Sequence, residues 1–168
     1  MFLKLIWEVG ILKIGVVSDS HGDVYAVKKA VESMGDVDKI IHLGDYCRDA
    51  ERASKELERD IIYVKGNCDF TYNVDSDKVI TMDDKKIFIT HGHNYRVKFN
   101  YNSLYLKARE IGADIVLFGH THLAGIFEKD GIIFMNPGSV SRPKGPYPTY
   151  GLITIDNGII SPRIVELL

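Results

Sequence analysis

Five of the six histidines fall in three short clusters, Asp19-Ser20-His21, Thr90-His91-Gly92-His93 and Gly119-His120-Thr121-His122, each directly after an apolar run. Imidazole nitrogens and carboxylate oxygens are ligands of divalent transition metals, so the chemistry these clusters suggest is metal binding. The sixth histidine, His42, lies in a fourth segment of the same form, Ile40-Ile41-His42-Leu43-Gly44-Asp45, and a fifth reads Ile62-Tyr63-Val64-Lys65-Gly66-Asn67-Cys68-Asp69. Asp19 and His21 are two residues apart, and a period of two puts both side chains on one side of an extended segment, where they can chelate one ion. His120 and His122 share that spacing, roughly 6–7 Å between α-carbons at strand rise, wide enough to serve two ions about 3.5–4 Å apart. Asp45, on the Gly44-Asp45 turn, offers a carboxylate able to bridge two cations, and Asn67 offers a neutral carbonyl oxygen from the equivalent Gly66-Asn67 turn. Taken singly, an Asp-x-His is usually a cap or surface pair and a Gly-Asp or Gly-Asn usually a turn. The joint occurrence of all five after apolar strands is what points to a two-metal site.

Converging five clusters requires elements that end at one place. Ile14–Val17 is a short β-branched run, and residues 24–34 carry apolar positions at helical spacing (Val24, Val27, Val31, Met34) closed by Gly35. Strands over 39–43 and 61–64 flank a charged helix over 49–59, so the first sixty-five residues read βαβαβ, the signature of a parallel sheet with helices on its faces. In such sheets ligands bind outside the carboxyl ends of the strands, where every cluster lies. Beyond Asp69, strands over 79–82 and 86–90 flank a tight Asp83-Asp84 turn, a helix over 104–111 precedes the strand 115–118, and hairpins turn at Asp130-Gly131 and Asn157-Gly158. A parallel half followed by an antiparallel half predicts two mixed sheets packed face to face, helices outside, in one domain over residues 1–168.

Composition sets the outer bounds. At 168 residues, 45% hydrophobic and 26% charged, the chain has the make-up of a globular domain rather than a disordered one. A net charge of −2 advertises no extended nucleic-acid surface, so an anionic substrate must be held by the site itself. Two cysteines, Cys47 and Cys68, form no disulfide framework and suit a reducing cytoplasm. No run of about 18 apolar residues predicts a membrane span. The apolar opening Met1–Trp7 is interrupted by Glu8 and lacks a cleavage site, so it reads as an extra strand, a docking segment or a translation-start artefact rather than a secretory signal.

Asp19-Ser20-His21, Gly44-Asp45, Gly66-Asn67, Thr90-His91-Gly92-His93 and Gly119-His120-Thr121-His122 resemble the five motifs of the calcineurin-like metallophosphoesterase superfamily, from about Leu12 onward. The short length, Gly66-Asn67-Cys68-Asp69 and Asn136-Pro137-Gly138-Ser139-Val140-Ser141 resemble its small prokaryotic phosphodiesterase branch. The resemblance implies an α/β fold, an α/β/β/α sandwich of two mixed β-sheets flanked by helices. It implies that Asp19, His21, Asp45 and His122 hold one divalent ion and Asp45, Asn67, His91 and His120 a second, with Asp45 bridging. Nitrogen and oxygen ligands without thiolate fit Mn²⁺, Fe²⁺, Co²⁺, Ni²⁺ or Zn²⁺, and the family favours manganese. The expected activity is phosphodiester hydrolysis by in-line attack of a hydroxide shared by the two ions. Where many relatives carry a histidine that protonates the leaving group or contacts the phosphate, this chain has Cys68, which leaves His93 as a candidate substitute.

The loop Ser141–Pro148 carries Arg142, Lys144 and Tyr147, suited to phosphate or nucleotide recognition, and Arg48 is a similar candidate. The expected partner is a small, nucleotide-like phosphodiester, met by the chain alone or as a homo-oligomer, without a membrane. Three rivals are weaker. A phosphomonoesterase or protein phosphatase would carry Gly-Asp-x-x-Asp-Arg-Gly, which Gly44-Asp45-Tyr46-Cys47-Arg48-Asp49 replaces. A non-catalytic protein-binding scaffold of the same fold need not retain every ligand, as this chain does. A nuclease would be expected to add a nucleic-acid-binding region for which 168 residues leave no room.

Overall fold

The computed structural model describes residues 10–168, so the alternatives for the apolar opening lie outside the described residues. The order is β1 (Leu12–Val17), α1 (Val24–Ser33), β2 (Lys39–His42), α2 (Cys47–Leu57), β3 (Ile61–Tyr63), β4 (Asp77–Met82), β5 (Lys85–Thr90), α3 (Asn102–Ile111), β6 (Ile115–Leu117), β7 (Gly125–Lys129), β8 (Ile132–Asn136), β9 (Thr149–Asp156) and β10 (Ile159–Glu166). A 3₁₀ turn at His93–Tyr95 lies between β5 and α3. The Asp23 side chain caps α1 by accepting from Ala26 N at 2.9 Å, and Gly35, at φ +65°, ends the helix in the left-handed conformation glycine tolerates.

Two five-stranded mixed sheets form, ordered β10-β9-β1-β2-β3 and β4-β5-β6-β8-β7. Three apolar clusters show the layering. Ile14, Val16, Ile41, Leu43, Ile87, Ile89, Ile115, Leu117 and Ile153 fill the space between the sheets. Val27, Ala30 and Val31 of α1 and Ala50 and Ala53 of α2 cover the outer face of the first sheet, and Leu104 and Ala108 of α3 pack with Phe88, Phe118 and Phe134 outside the second. This is the α/β/β/α sandwich expected. The turns Asp83-Asp84, Asp130-Gly131 and Asn157-Gly158 all have both residues at positive φ, the type I′ geometry that matches strand twist.

The division into a parallel and an antiparallel half needs correction. The second half contains three parallel strands, since β6 pairs in parallel with both β5 and β8. The last hairpin leaves that sheet, with β9 pairing antiparallel to β1 so that the buried face of β9 closes the intersheet core. Hairpin signals fix the local turn but not the sheet that receives it. Helix α2 starts at Cys47 rather than Asp49 because Asp69, far along the chain, accepts from Cys47 N at 2.8 Å and supplies the cap. Among the described residues no helix is long and apolar enough to cross a membrane.

Candidate metal centre

The loops after β1, β2, β3, β5 and β6 carry the five motifs. Ligand atoms of Asp19, His21, Asp45 and His122 lie within 4.8 Å of one another, as do those of Asp45, His91 and His120. Asp45 is the member common to both groups. Asn67 stands exposed on the turn after β3, its amide nitrogen 3.5 Å from Cys68 Sγ. His93 opens the 3₁₀ turn with its ring 5.4 Å from that of His91 and 6.1 Å from that of His120, and its Nδ1 is buried without a partner.

The way the motifs converge differs from the extended spacing expected of them. Asp19, His21, Asp45, His120 and His122 all adopt left-handed backbone, with φ between 48° and 68°. Such residues are uncommon outside glycine, and here they fold each loop back over the strand ends. Convergence therefore comes from tight turns rather than from strand alternation. The turns after β2 and β3 lie back to back: a Cβ on Gly44 would meet Gly66 N at 2.6 Å and a Cβ on Gly66 would meet Asp45 N at 2.5 Å. That contact brings Cys68 N within 2.9 Å of Asp45 Oδ1, to which it donates.

Backbone carbonyls select the ring tautomers. The Leu43 carbonyl, 2.8 Å from His91 Nδ1, can only accept, so Nδ1 carries the proton and Nε2 is left facing Asp45 Oδ1 at 3.4 Å. The Arg142 carbonyl does the same for His122 at 2.7 Å, leaving Nε2 3.2 Å from Asp19 Oδ1. This is the outer hydrogen bonding that orients metal-binding imidazoles. His122 Nε2 lies 3.1 Å from His21 Nε2, and His91 Nε2 lies 3.2 Å from His120 Nδ1. Asp19 Oδ1 is buried among them without a hydrogen bond of its own. Ring nitrogens facing in pairs beside an unsatisfied carboxylate oxygen suit divalent cations, so the residues present fit the ions expected of them.

Ionisation follows the same crowding. Burial opposes the charged form of Asp19, but His122, His91 and the Ser18 hydroxyl outweigh it and hold the carboxyl below its ordinary range. Asp45 is lowered in the same way, burial being overcome by His91 and by the Cys68 backbone N–H. Burial and the neighbouring His91 charge push His120 down to about 4. Burial and the Asp45 carboxylate push the Cys68 thiol up to about 11, which keeps it protonated.

Several supporting residues carry no motif-like spacing. One Asp49 oxygen accepts from Ser20 Oγ at 2.6 Å and from Gly22 N at 2.8 Å. His42, fully buried, accepts from Gly44 N through Nδ1 at 3.2 Å, so its Nε2 carries the proton and donates to Ser20 Oγ at 3.0 Å. The Asn136 amide donates to the Gly119 carbonyl and to Thr121 Oγ1, both at 2.9 Å, and the hydroxyls of Ser139 and Ser141 donate to the Asp19 carbonyl at 2.7 and 3.2 Å. The run Asn136–Ser141 thus binds two motif loops together, and its polar residues directly after an apolar strand were the available signal. The loop Ser141–Pro148 is tied to His122 twice, through Arg142 O and through Lys144 N, which donates to His122 O at 3.0 Å.

The chain is also similar to known proteins. The family described as "Calcineurin-like phosphoesterase superfamily domain" matches residues 12–158. Probable metallophosphoesterase YsnB of Bacillus subtilis is 33% identical over 159 residues, covering 92% of this chain and 91% of its own length. Phosphodiesterase MJ0936 of Methanocaldococcus jannaschii is 30% identical over 159 residues, covering 84% and 92%. A crystal structure from Streptococcus pneumoniae TIGR4, titled a predicted phosphoesterase, superposes with a TM-score of 0.83 at 33% identity, covering 94% of this chain and 91% of the other.

Proposed function

Because the chain belongs to the calcineurin-like phosphoesterase superfamily, we propose that it is a metal-dependent phosphoric ester hydrolase, a phosphodiesterase, working as one metallophosphoesterase domain. The observation that carries this reading is the membership of Asp45 in both ligand groups, the arrangement two adjacent cations need. Asp19, His21, Asp45 and His122 would hold one ion and Asp45, Asn67, His91 and His120 the other, manganese being the preferred metal. Bound there, a pair of divalent ions supplies a water acidified towards neutral pH and positive charge on the phosphoryl oxygens for in-line displacement.

The chain's own residues do the rest. Leu43 and Arg142 carbonyls keep His91 and His122 in the tautomers that point Nε2 inward. His93, with a buried ring nitrogen lacking a partner and its ring beside His91 and His120, is the group proposed to hydrogen-bond the departing ester oxygen. Cys68, whose backbone N–H fixes Asp45, is proposed as a substrate contact. The free thiols Cys47 and Cys68 are in keeping with a cytoplasmic enzyme.

The test is reconstitution with manganese followed by elemental analysis and parallel assays of a chromogenic aryl diester and an alkyl monoester. Two ions per chain and faster diester hydrolysis are expected. A metal content of zero without metal-dependent turnover would remove the enzyme reading, and faster monoester hydrolysis would replace it with a phosphatase.

A further inference from the structure

Next to the candidate metal centre lies a pocket of about 240 Å³ lined by Tyr46, Arg48, Glu51, Cys68, Phe70 and Thr71, among others. We propose that this pocket is a substrate subsite that takes a neutral planar ring, an aryl group or a nucleobase, carried on one ester arm of the diester. The proposal rests on the phosphodiesterase reading and adds what that enzyme selects.

Position comes first. Tyr46 directly follows Asp45 and its ring is 5.7 Å from that of His21, while Cys68 directly follows Asn67 and its N–H donates to Asp45. The inner wall of the pocket is therefore made by residues of the two turns that carry Asp45 and Asn67. A phosphate held at those turns extends a substituent into the pocket. The volume is below the roughly 300–1,000 Å³ of pockets for larger ligands, and suits one ring system.

The lining chooses the chemistry. Phe70 is 96% exposed, so both faces of its ring are free and a planar group in the pocket can stack on it. It does not hang on a loose loop: the preceding Asp69 accepts from Cys47 N and Gly66 N, both at 2.8 Å, and the carbonyl of the following Thr71 accepts from Lys65 Nζ at 3.0 Å. An aromatic side chain presented between two tethered residues loses little freedom on binding. Among the described residues no carboxylate lies within 4.0 Å of the Arg48 guanidinium, which leaves it for the face of a ring or a ring carbonyl. Glu51 and Asp69 in the same wall outnumber the single cation Arg48, so the lining as a whole disfavours a second phosphate and the arm is neutral rather than charged.

The probes are non-hydrolysable phosphonates, so that binding is read without turnover. Calorimetry of the manganese-loaded protein should give phenylphosphonate roughly tenfold tighter binding than methylphosphonate, the scale of one stacked ring. Phe70→Ala should bring that ratio close to one, Arg48→Ala should lower it, and Phe70→Tyr, which keeps the ring, should restore it. The methylenephosphonate isosteres of adenosine 5′-monophosphate and ribose 5-phosphate, which also resist hydrolysis, separate the two ring sources: a gain for the nucleotide isostere that Phe70→Ala removes assigns a nucleobase, and a gain for phenylphosphonate alone assigns an aryl group. Equal binding of both phosphonates to the wild type, or a ratio untouched in Phe70→Ala, overturns the subsite while leaving the phosphodiesterase intact. If neither phosphonate binds manganese-loaded protein, the metal-centre reading falls and the subsite falls with it.

Discussion

A single oxygen of Asp49 accepts from Ser20 Oγ at 2.6 Å and from Gly22 N at 2.8 Å, so the first turn of α2 grips the chain on both sides of His21. His21 stands in left-handed backbone, and this grip fixes the residues on either side of it. Asp49→Ala should weaken metal binding roughly 10–100-fold, the scale seen when the partners of a ligand are removed. Calorimetric manganese titration checks it, with the far-ultraviolet dichroism showing that the fold survives. An affinity equal to the wild type would mean that the grip has no part in placing His21.

Asp45 and Asp19 differ in how many ligand groups they serve. Asp45 belongs to both and Asp19 to one. Asp45→Asn should therefore depress occupancy of both ions and cost more activity than Asp19→Asn, which should spare the ion shared by His91 and His120. Metal analysis of the two variants at matched manganese concentrations separates these outcomes. Equal and mild losses would count against a bridging carboxylate.

Burial pushes the His42 ring down to about 4 from an ordinary value of 6.5. Between those values the unfolded chain binds a proton that the folded chain refuses. This contribution is fully present above pH 6.5 and is lost as the pH falls towards 4, on the order of 3 kcal/mol over the window. Thermal melting from pH 7 to pH 4 should show that fall, and His42→Gln, which cannot take up the proton, should make it shallower while leaving the share of His120, which titrates over the same range. A variant with the wild-type acid slope would assign the loss elsewhere.

Cys68 occupies a position beside Asn67 with its backbone fixed to Asp45. The Cys68 thiol is pushed up to about 11, whereas imidazole ordinarily titrates near 6.5, so imidazolium is the better matched proton donor to an alkoxide. Cys68→His should raise monoester turnover relative to diester turnover, and Cys68→Ser should change the ratio little. Paired chromogenic assays read it directly; an unaltered ratio in Cys68→His would leave the thiol without a part in substrate preference.

The five motif loops could be read from sequence because each follows an apolar strand that runs parallel to a neighbour in one of the two mixed sheets, β1, β2 and β3 in one and β5 and β6 in the other, and parallel strands end on the same side. The antiparallel strands were legible for another reason, the turns Asp83-Asp84, Asp130-Gly131 and Asn157-Gly158 that join them in hairpins. Chain turns in the motif loops were less so. The left-handed conformations of Asp19, His21, Asp45, His120 and His122 leave only a faint mark, in Asp and His types that tolerate that region and in Gly22, Gly44 and Gly119 beside three of them. The cap that starts α2 comes from Asp69 on another loop, and the path of β9 back to β1 depends on which sheet has an uncovered edge. The pairings of Ser20, Asp49 and His42 are likewise contacts across sequence, invisible to local spacing.

The hydroxyl of Ser139 reaches the carbonyl of Asp19 across 120 residues, and the β9 strand just beyond it pairs with β1. Closing so long a loop is among the last and slowest events when a chain of this topology folds. The first motif of the metal centre therefore cannot become rigid until the C-terminal hairpin has docked. Ions bound at the candidate centre would then be captured by a nearly finished protein rather than acting as a seed for it, and a chain stalled before β9 would expose loose histidines instead of a formed site.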